Sequence, residues 1–236
     1  MAKLIVKSTA FCVTLLLAIL AVGCGGGSMS KPAPVVVPVI TASQVFSNSA
    51  ETWTFKNGYG DLTTIEVQPQ PDGSTVWHYT KNADRAYWQP GIQSELYFRM
   101  ELDGGQWYSP DFRVIFPSGC PYSWCGTGPV DVTIINTTTP GMPRPYLIIG
   151  NSGTTLNTSF TDFGTPNTRW ETKAYTEQVD TPVFSGFALV SEQWEGPCTH
   201  EKWYFAPGKG LIKVIPADLG NCQPADPLLT MVRVLP

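Results

Sequence analysis

The chain has 236 residues, 15 basic against 19 acidic, a formal net charge of −4 and only 14% charged residues. With 22 glycines, 21 prolines and 12% aromatics it has the composition of a β-rich domain with many turns. A helical bundle is excluded, since it would need far more Ala, Glu, Lys and Leu. The acidic balance argues against nucleic acid or anionic phospholipid as a partner.

The N-terminus carries Lys3 and Lys7, an apolar run from Ala10 to Val22 broken only by Thr14, and then Gly23 and Cys24. These are the three parts of an export signal. The run is shorter than the roughly 20 residues a spanning helix needs, and glycines follow it in place of a charged stop-transfer flank. Residues 1–23 are therefore expected to be a removable signal peptide. Losing Lys3 and Lys7 with it takes the formal charge from −4 to −6. Cys12 lies inside the removed segment.

Ala21-Val22-Gly23-Cys24 resembles the lipobox of bacterial lipoproteins, with Leu20 and Ala21 departing mildly from the commonest pattern. The resemblance implies that Cys24 is diacylated through sulfur and ties the mature protein to a membrane through lipid. Several acyl chains exceed the two signals that stable anchoring requires. The family's sorting rule associates aspartate after the cysteine with the inner membrane, so Gly25 at that position implies the outer one.

Residues 24–43 read as a tether, flexible through Gly25-Gly26-Gly27-Ser28 and stiffer through Lys31-Pro32-Ala33-Pro34-Val35-Val36-Val37-Pro38. Residues 44–236 are expected to form a single β-rich domain. Period-two alternation with turn signals at short intervals marks antiparallel strands. Thr52–Phe55 leads into the tight-turn dipeptide Asn57-Gly58. Leu62–Val67 and Thr75–Thr80 flank Pro71-Asp72-Gly73, and Glu95–Leu102 meets Gln106–Tyr108 across Asp103-Gly104-Gly105. Val130–Ile135 and Tyr146–Ile149 are strand candidates on either side of a loop, Thr137–Pro145.

Trp170–Val179 and Phe184–Trp194 are two longer strands joined through Asp180-Thr181-Pro182. Thr199–Phe205 and Leu211–Ile215 flank Ala206-Pro207-Gly208-Lys209, where proline sets the first angle of a type II turn and glycine takes its positive φ. Leu228–Leu235 closes the pattern. No helix is required after the signal, with short ones near Tyr87 or Leu219 left open. The fold class is all-β, an antiparallel sheet closing as a curved half-barrel or a β-sandwich. Glu201–Lys213 resembles the aromatic Ala-x-Gly-x-Gly-Leu-Val-Lys hairpin of several secreted bacterial proteins. Some of these have curved sheets like those of outer-membrane lipoprotein carriers, and the resemblance covers about one twentieth of the chain. It favours the half-barrel.

Four thiols remain in the mature chain beyond the lipidated one: Cys120, Cys125, Cys198 and Cys222. An oxidising compartment makes disulfides their default fate. Of the three possible pairings, the two local ones, Cys120 with Cys125 and Cys198 with Cys222, are expected because each spans a turn-rich segment. A metal site using Cys198 and His200 fits no zinc spacing, and Asp218 and Asp226 lack the dense oxygen pattern of a calcium loop. Neither a cofactor nor a metal is expected.

Catalytic signals are sparse. Gly150-Asn151-Ser152-Gly153 resembles the nucleophile segment of chymotrypsin-like proteases, with His78 and an aspartate such as Asp103 upstream. His78 lacks that family's small-residue context, and Thr154 replaces its second glycine. The segment reads as a turn between strands. Glu192, Glu195 and Glu201 beside His200 offer the carboxylates of glycoside hydrolysis with nothing to fix their separation.

The eight tryptophans and nine tyrosines are the larger resource. Most are expected to fill the sheet interior. Tyr87 and Trp88 in one loop, and Tyr122 and Trp124 in the short cysteine loop, are expected to reach a surface where flat rings stack on ligands. The function read from this pattern is a membrane-anchored envelope protein whose non-catalytic β domain binds a glycan, an apolar ligand or another envelope protein. The alternative is a cell-envelope hydrolase using His78 or His200.

Overall fold

Alternating side chains bury every second residue of a strand when one face of a sheet is covered, and this pattern organises the molecule. A computed structural model describes residues 35–46, 49–81, 95–103, 105–116, 129–135, 137–139, 142–143, 149–162, 165–195, 199–216 and 226–235. The chain divides at Val36/Val37 into two units. Of the first, only Val35 and Val36 are described, both exposed.

The second unit opens with one helical turn, α1 (Ala42–Val45), ahead of which Gln44 Oε1 accepts from Thr41 N at 2.8 Å. Then come β1 (Glu51–Lys56), β2 (Leu62–Pro69), β3 (Thr75–Lys81), β4 (Glu95–Asp103), β5 (Gln106–Phe116), β6 (Val130–Ile135), β7 (Thr137–Thr139) and β8 (Met142–Pro143). They are followed by β9 (Thr155–Asp162), β10 (Thr165–Thr181), β11 (Phe184–Glu195), β12 (Thr199–Ala206), β13 (Gly210–Ile215) and β14 (Met231–Leu235). Among the described residues, twelve strands form one antiparallel sheet in the order β6-β5-β4-β3-β2-β1-β14-β13-β12-β11-β10-β9, and β7 pairs with β8. Most neighbours in the sheet are also neighbours in the chain, and the first strand closes against the last. The sheet curls as a half-barrel, which decides between the two architectures open from sequence.

The inner face carries Trp53, Phe55, Ile65, Val67, Trp77, Tyr79, Leu96, Met100, Leu189, Trp203 and Phe205, all buried in one core. Burying a large apolar side chain contributes roughly 1.5–3 kcal/mol, so this face is the main source of cohesion. Ile40, Ala42 and Val45 are buried in the same core, with Phe46 packed against it. The packed body thus starts ahead of the 43/44 boundary suggested by composition, because these apolar residues find a concave surface made by distant strands.

Turn chemistry matches the expected segments at three places. Gly73 (φ 85°), Gly105 (φ 79°) and Gly208 (φ 65°) all take positive φ, and Lys209 N donates to Ala206 O at 3.0 Å across the Pro207-Gly208 turn. After β1 the positive φ falls on Gly60 and not on Gly58. Asn57 Oδ1 accepts from both Tyr59 N (3.0 Å) and Asp61 N (2.9 Å), so the side chain organises a wider loop.

Three regions differ from the expectations. Thr155–Asp162 is a strand, and the expected loop Thr137–Pro145 contains β7 and β8. The closing strand begins at Met231, because Pro227–Leu229 forms a 3-10 turn capped by Asp226, whose Oδ1 accepts from Leu228 N at 2.9 Å. Of the candidate strand Tyr146–Ile149 only Ile149 is described, as a single bridge to Trp107. No helix among the described residues is long and apolar enough to cross a membrane.

Candidate functional site

The outer face of β2 to β6 presents polar side chains in register. Glu66 lies opposite His78, His78 opposite Tyr97, and Tyr97 opposite Arg113. Glu66, His78 and Tyr97 are each one residue away from an inward-facing core residue, Val67, Trp77 and Phe98, so the pleat turns them outward. The rings of His78 and Tyr97 stack with centroids 4.0 Å apart and planes 8° from parallel.

Carboxylates bracket that pair. His78 Nδ1 is 3.7 Å from Glu66 Oε2, and Nε2 is 3.4 Å from Glu95 Oε2. The Tyr97 hydroxyl donates to Glu95 Oε2 at 2.8 Å. Burial pushes the Tyr97 phenol above its ordinary range, and the bond to Glu95 adds to the effect. On the far side the Arg113 guanidinium lies 5.7 Å from the Tyr97 ring centroid and grips Asp131 through two bonds of 2.7 and 2.5 Å. That pairing holds the Asp131 carboxyl below its usual range and raises Arg113. The row offers stacked rings, carboxylate acceptors and a guanidinium donor, a set that suits a hydroxyl-rich ligand.

The protease-like constellation is not assembled. Ser152 Oγ accepts from Ile40 N at 3.1 Å, Ser152 N donates to Ile40 O at 2.9 Å, and Asn151 Oδ1 accepts from Ala42 N at 2.9 Å. The Gly-Asn-Ser-Gly turn is a latch for the segment leading into α1, while His78 faces outward between glutamates.

The glutamate cluster is separated by the pleat. Glu192 faces outward, 3.4 Å from Lys202 Nζ, whereas Glu201 is buried on the inner side, opposite Gln193. The side chains of Glu195 and His200 lie outside the described residues, as do those of Asp103 and Asp218. Among the described residues no group of three His, Cys, Asp or Glu side chains could hold a metal.

The aromatic expectation divides. Trp53, Trp77, Trp107 and Trp203 are buried in the inner core. Phe46 stacks on Trp107 at 4.1 Å and on Trp77 at 5.6 Å, so the chain's own N-terminal segment fills the half-barrel there. Tyr87, Trp88, Tyr122 and Trp124 lie outside the described residues, with Cys24, Cys120, Cys125, Cys198 and Cys222.

Sequence reasoning missed the outer row and the inner segment. The row leaves no local signal because it is built across five strands. The segment had one: Thr41 and Gln44 have capping-box spacing between the apolar residues Ile40 and Val45-Phe46. No protein family, no curated protein and no solved structure matches this chain.

Proposed function

We propose that this chain is the precursor of a bacterial envelope lipoprotein, lipidated at Cys24 after loss of residues 1–23 and held at the outer membrane, whose β body binds a glycan without turning it over. The observation that carries the binding reading is the outer row Glu66-His78-Tyr97-Arg113, with Glu95 and Asp131 beside it. A polar ligand is favoured over an apolar one because the inner aromatics are already packed around Phe46. Binding is favoured over hydrolysis because His78 contacts carboxylates and a phenol, and Ser152 is committed to Ile40.

Two measurements test the two parts. Cys24→Ser should abolish incorporation of labelled palmitate, and undiminished labelling would refute the anchor. Wild-type protein should co-sediment with purified peptidoglycan or envelope polysaccharide, and Tyr97→Ala combined with His78→Ala should abolish it. Binding that survives both substitutions would count against the site. Release of reducing ends that depends on His78 would establish the hydrolase instead.

A further inference from the structure

In an antiparallel meander the connections alternate between the two ends of the sheet. The turns Gln70–Ser74, Asp103–Gln106, Pro182–Val183 and Pro207–Lys209 therefore share one end, together with the Ile149–Thr155 segment that leads into β9. The turn after β1 and the connections from β3 to β4, β5 to β6, β11 to β12 and β13 to β14 leave from the other. By sequence, all four cysteines expected to form disulfides fall in those latter connections.

The N-terminal segment joins the body at the first end, and it is fastened there. Thr176 Oγ1 donates to Pro38 O at 3.0 Å. Ile40 exchanges two bonds with Ser152, Ala42 N is held by Asn151, and Gly208 N donates to Gln44 O at 3.1 Å. The backbone is thus fixed from Pro38 onward. Around that point Val35, Val36, Val37 and Val39 are 74, 84, 55 and 74% exposed, and no charged residue occurs between Pro32 and Ala50.

We propose that the end of the half-barrel carrying the Asn151-Ser152 latch is the surface that faces the lipid bilayer, and that the opposite end, from which the cysteine-bearing connections leave, points away from it. The proposal rests on the lipidation of Cys24 inferred above. By composition, the Gly/Ser-rich residues 25–30 reach about 13 Å and the Pro-rich run 31–38 about 25 Å when extended, together a root-mean-square reach of about 28 Å from Cys24 to Pro38. The eleven-residue strand β5 spans about 35 Å at the usual rise. The fastened end is therefore held nearer the headgroups than the other end. At this end Val37 and Val39 carry no charge to desolvate, while the exposed Asp72, Asp180 and Lys209 of the turns stay in the hydrated headgroup layer.

The test uses the full-length lipidated protein in phosphatidylethanolamine vesicles doped with a headgroup-nitroxide lipid. A thiol-reactive fluorophore is placed without reductant at Ser185→Cys, an exposed residue at the fastened end, or at Thr80→Cys, an exposed residue at the other, with unsubstituted protein as blank. Nitroxide quenching at position 185 should be at least about twice that at position 80, and a flexible eight-residue Gly-Ser insertion after Gly27 should reduce the difference, since longer linkers relax the constraint. Flotation with the vesicles but equal or reversed quenching would overturn the orientation alone. A difference unmoved by the insertion would overturn the tether as its cause. Failure to float would overturn the anchor, and the orientation with it.

Discussion

The two halves of the sheet solve the problem of burial differently. In β2 the residues alternate between buried and half-exposed along nearly its whole length, and the outer face of this half carries the polar row of Glu66, His78, Tyr97 and Arg113. In β11 to β13 burial is continuous: Ala188, Leu189, Val190 and Ser191 are all buried, as are Trp203, Tyr204, Phe205 and Ala206, then Leu211 and Ile212. The outer residues of this stretch form a second core of Val179, Ala188, Val190, Tyr204, Ala206 and Ile212, against which Tyr175, Val183, Phe184 and Ile215 pack. The long hairpin of β10 and β11 contributes Val179 to this core and packs Val183 and Phe184 against it. The first half leaves its outer face to solvent, and the second half uses both faces for cohesion.

The sharpest way to break this comparison is to place a carboxylate on the outer face of each half. Val190→Asp buries an unpaired charge and should cost about 4 kcal/mol or prevent folding. Thr64→Asp on β2, half-exposed, should cost less than about 1 kcal/mol. Similar urea midpoints for the two variants would show that the halves do not differ.

A paired glycine test comes next. Gly210 has φ 69°, and a Cβ there would lie 2.5 Å from a Trp53 ring carbon. Gly210→Ala should cost about 3 kcal/mol through strain and overpacking together. Gly73 has φ 85° with nothing within 4 Å of an added Cβ, so Gly73→Ala should cost only about 1 kcal/mol. Equal melting temperatures for the two variants would remove the Trp53 contact from the explanation.

The second core should also show in the alkaline limb of stability. Burial, followed by the charge of Glu177, pushes the Tyr204 phenol up to about 12. Tyr175 is raised as well, by burial first and then by its bond to Glu192. A phenol that stays protonated in the fold but ionises near pH ~10 when unfolded contributes stability fully below about pH 10, and loses it as pH rises through the folded value. Tyr204→Phe should flatten that fall in denaturant midpoints between about pH 10 and about pH 12, and adding Tyr175→Phe should flatten it further. The smallest effect is expected in the first half, where Arg113 and Asp131 are both half-exposed. Arg113→Gln should change stability by no more than about 1 kcal/mol.

The hairpins were legible because their information is local. Alternation and the Gly73, Gly105 and Gly208 turns placed most strands within a few residues of their observed bounds. Thr155–Asp162 was not legible, since its threonines, asparagine and serine carry little apolar alternation and its pairing with β10 supplies what composition does not. The role of Ser152 was legible only as a turn. That it latches Ile40 depends on a partner 112 positions away. The outer row was not legible at all, because His78, Tyr97 and Arg113 meet only once the strand registers are set.

The amino-acid pattern by itself determined an all-β antiparallel chain and the chemistry of its turns, because pleat and backbone angles are set within a few residues. The tertiary structure decided the curl, the second core over β11 to β13, and the burial of Ile40, Ala42 and Val45 in the core of the half-barrel. Those outcomes depend on which surfaces distant strands bring together, and no short stretch of sequence carries that information.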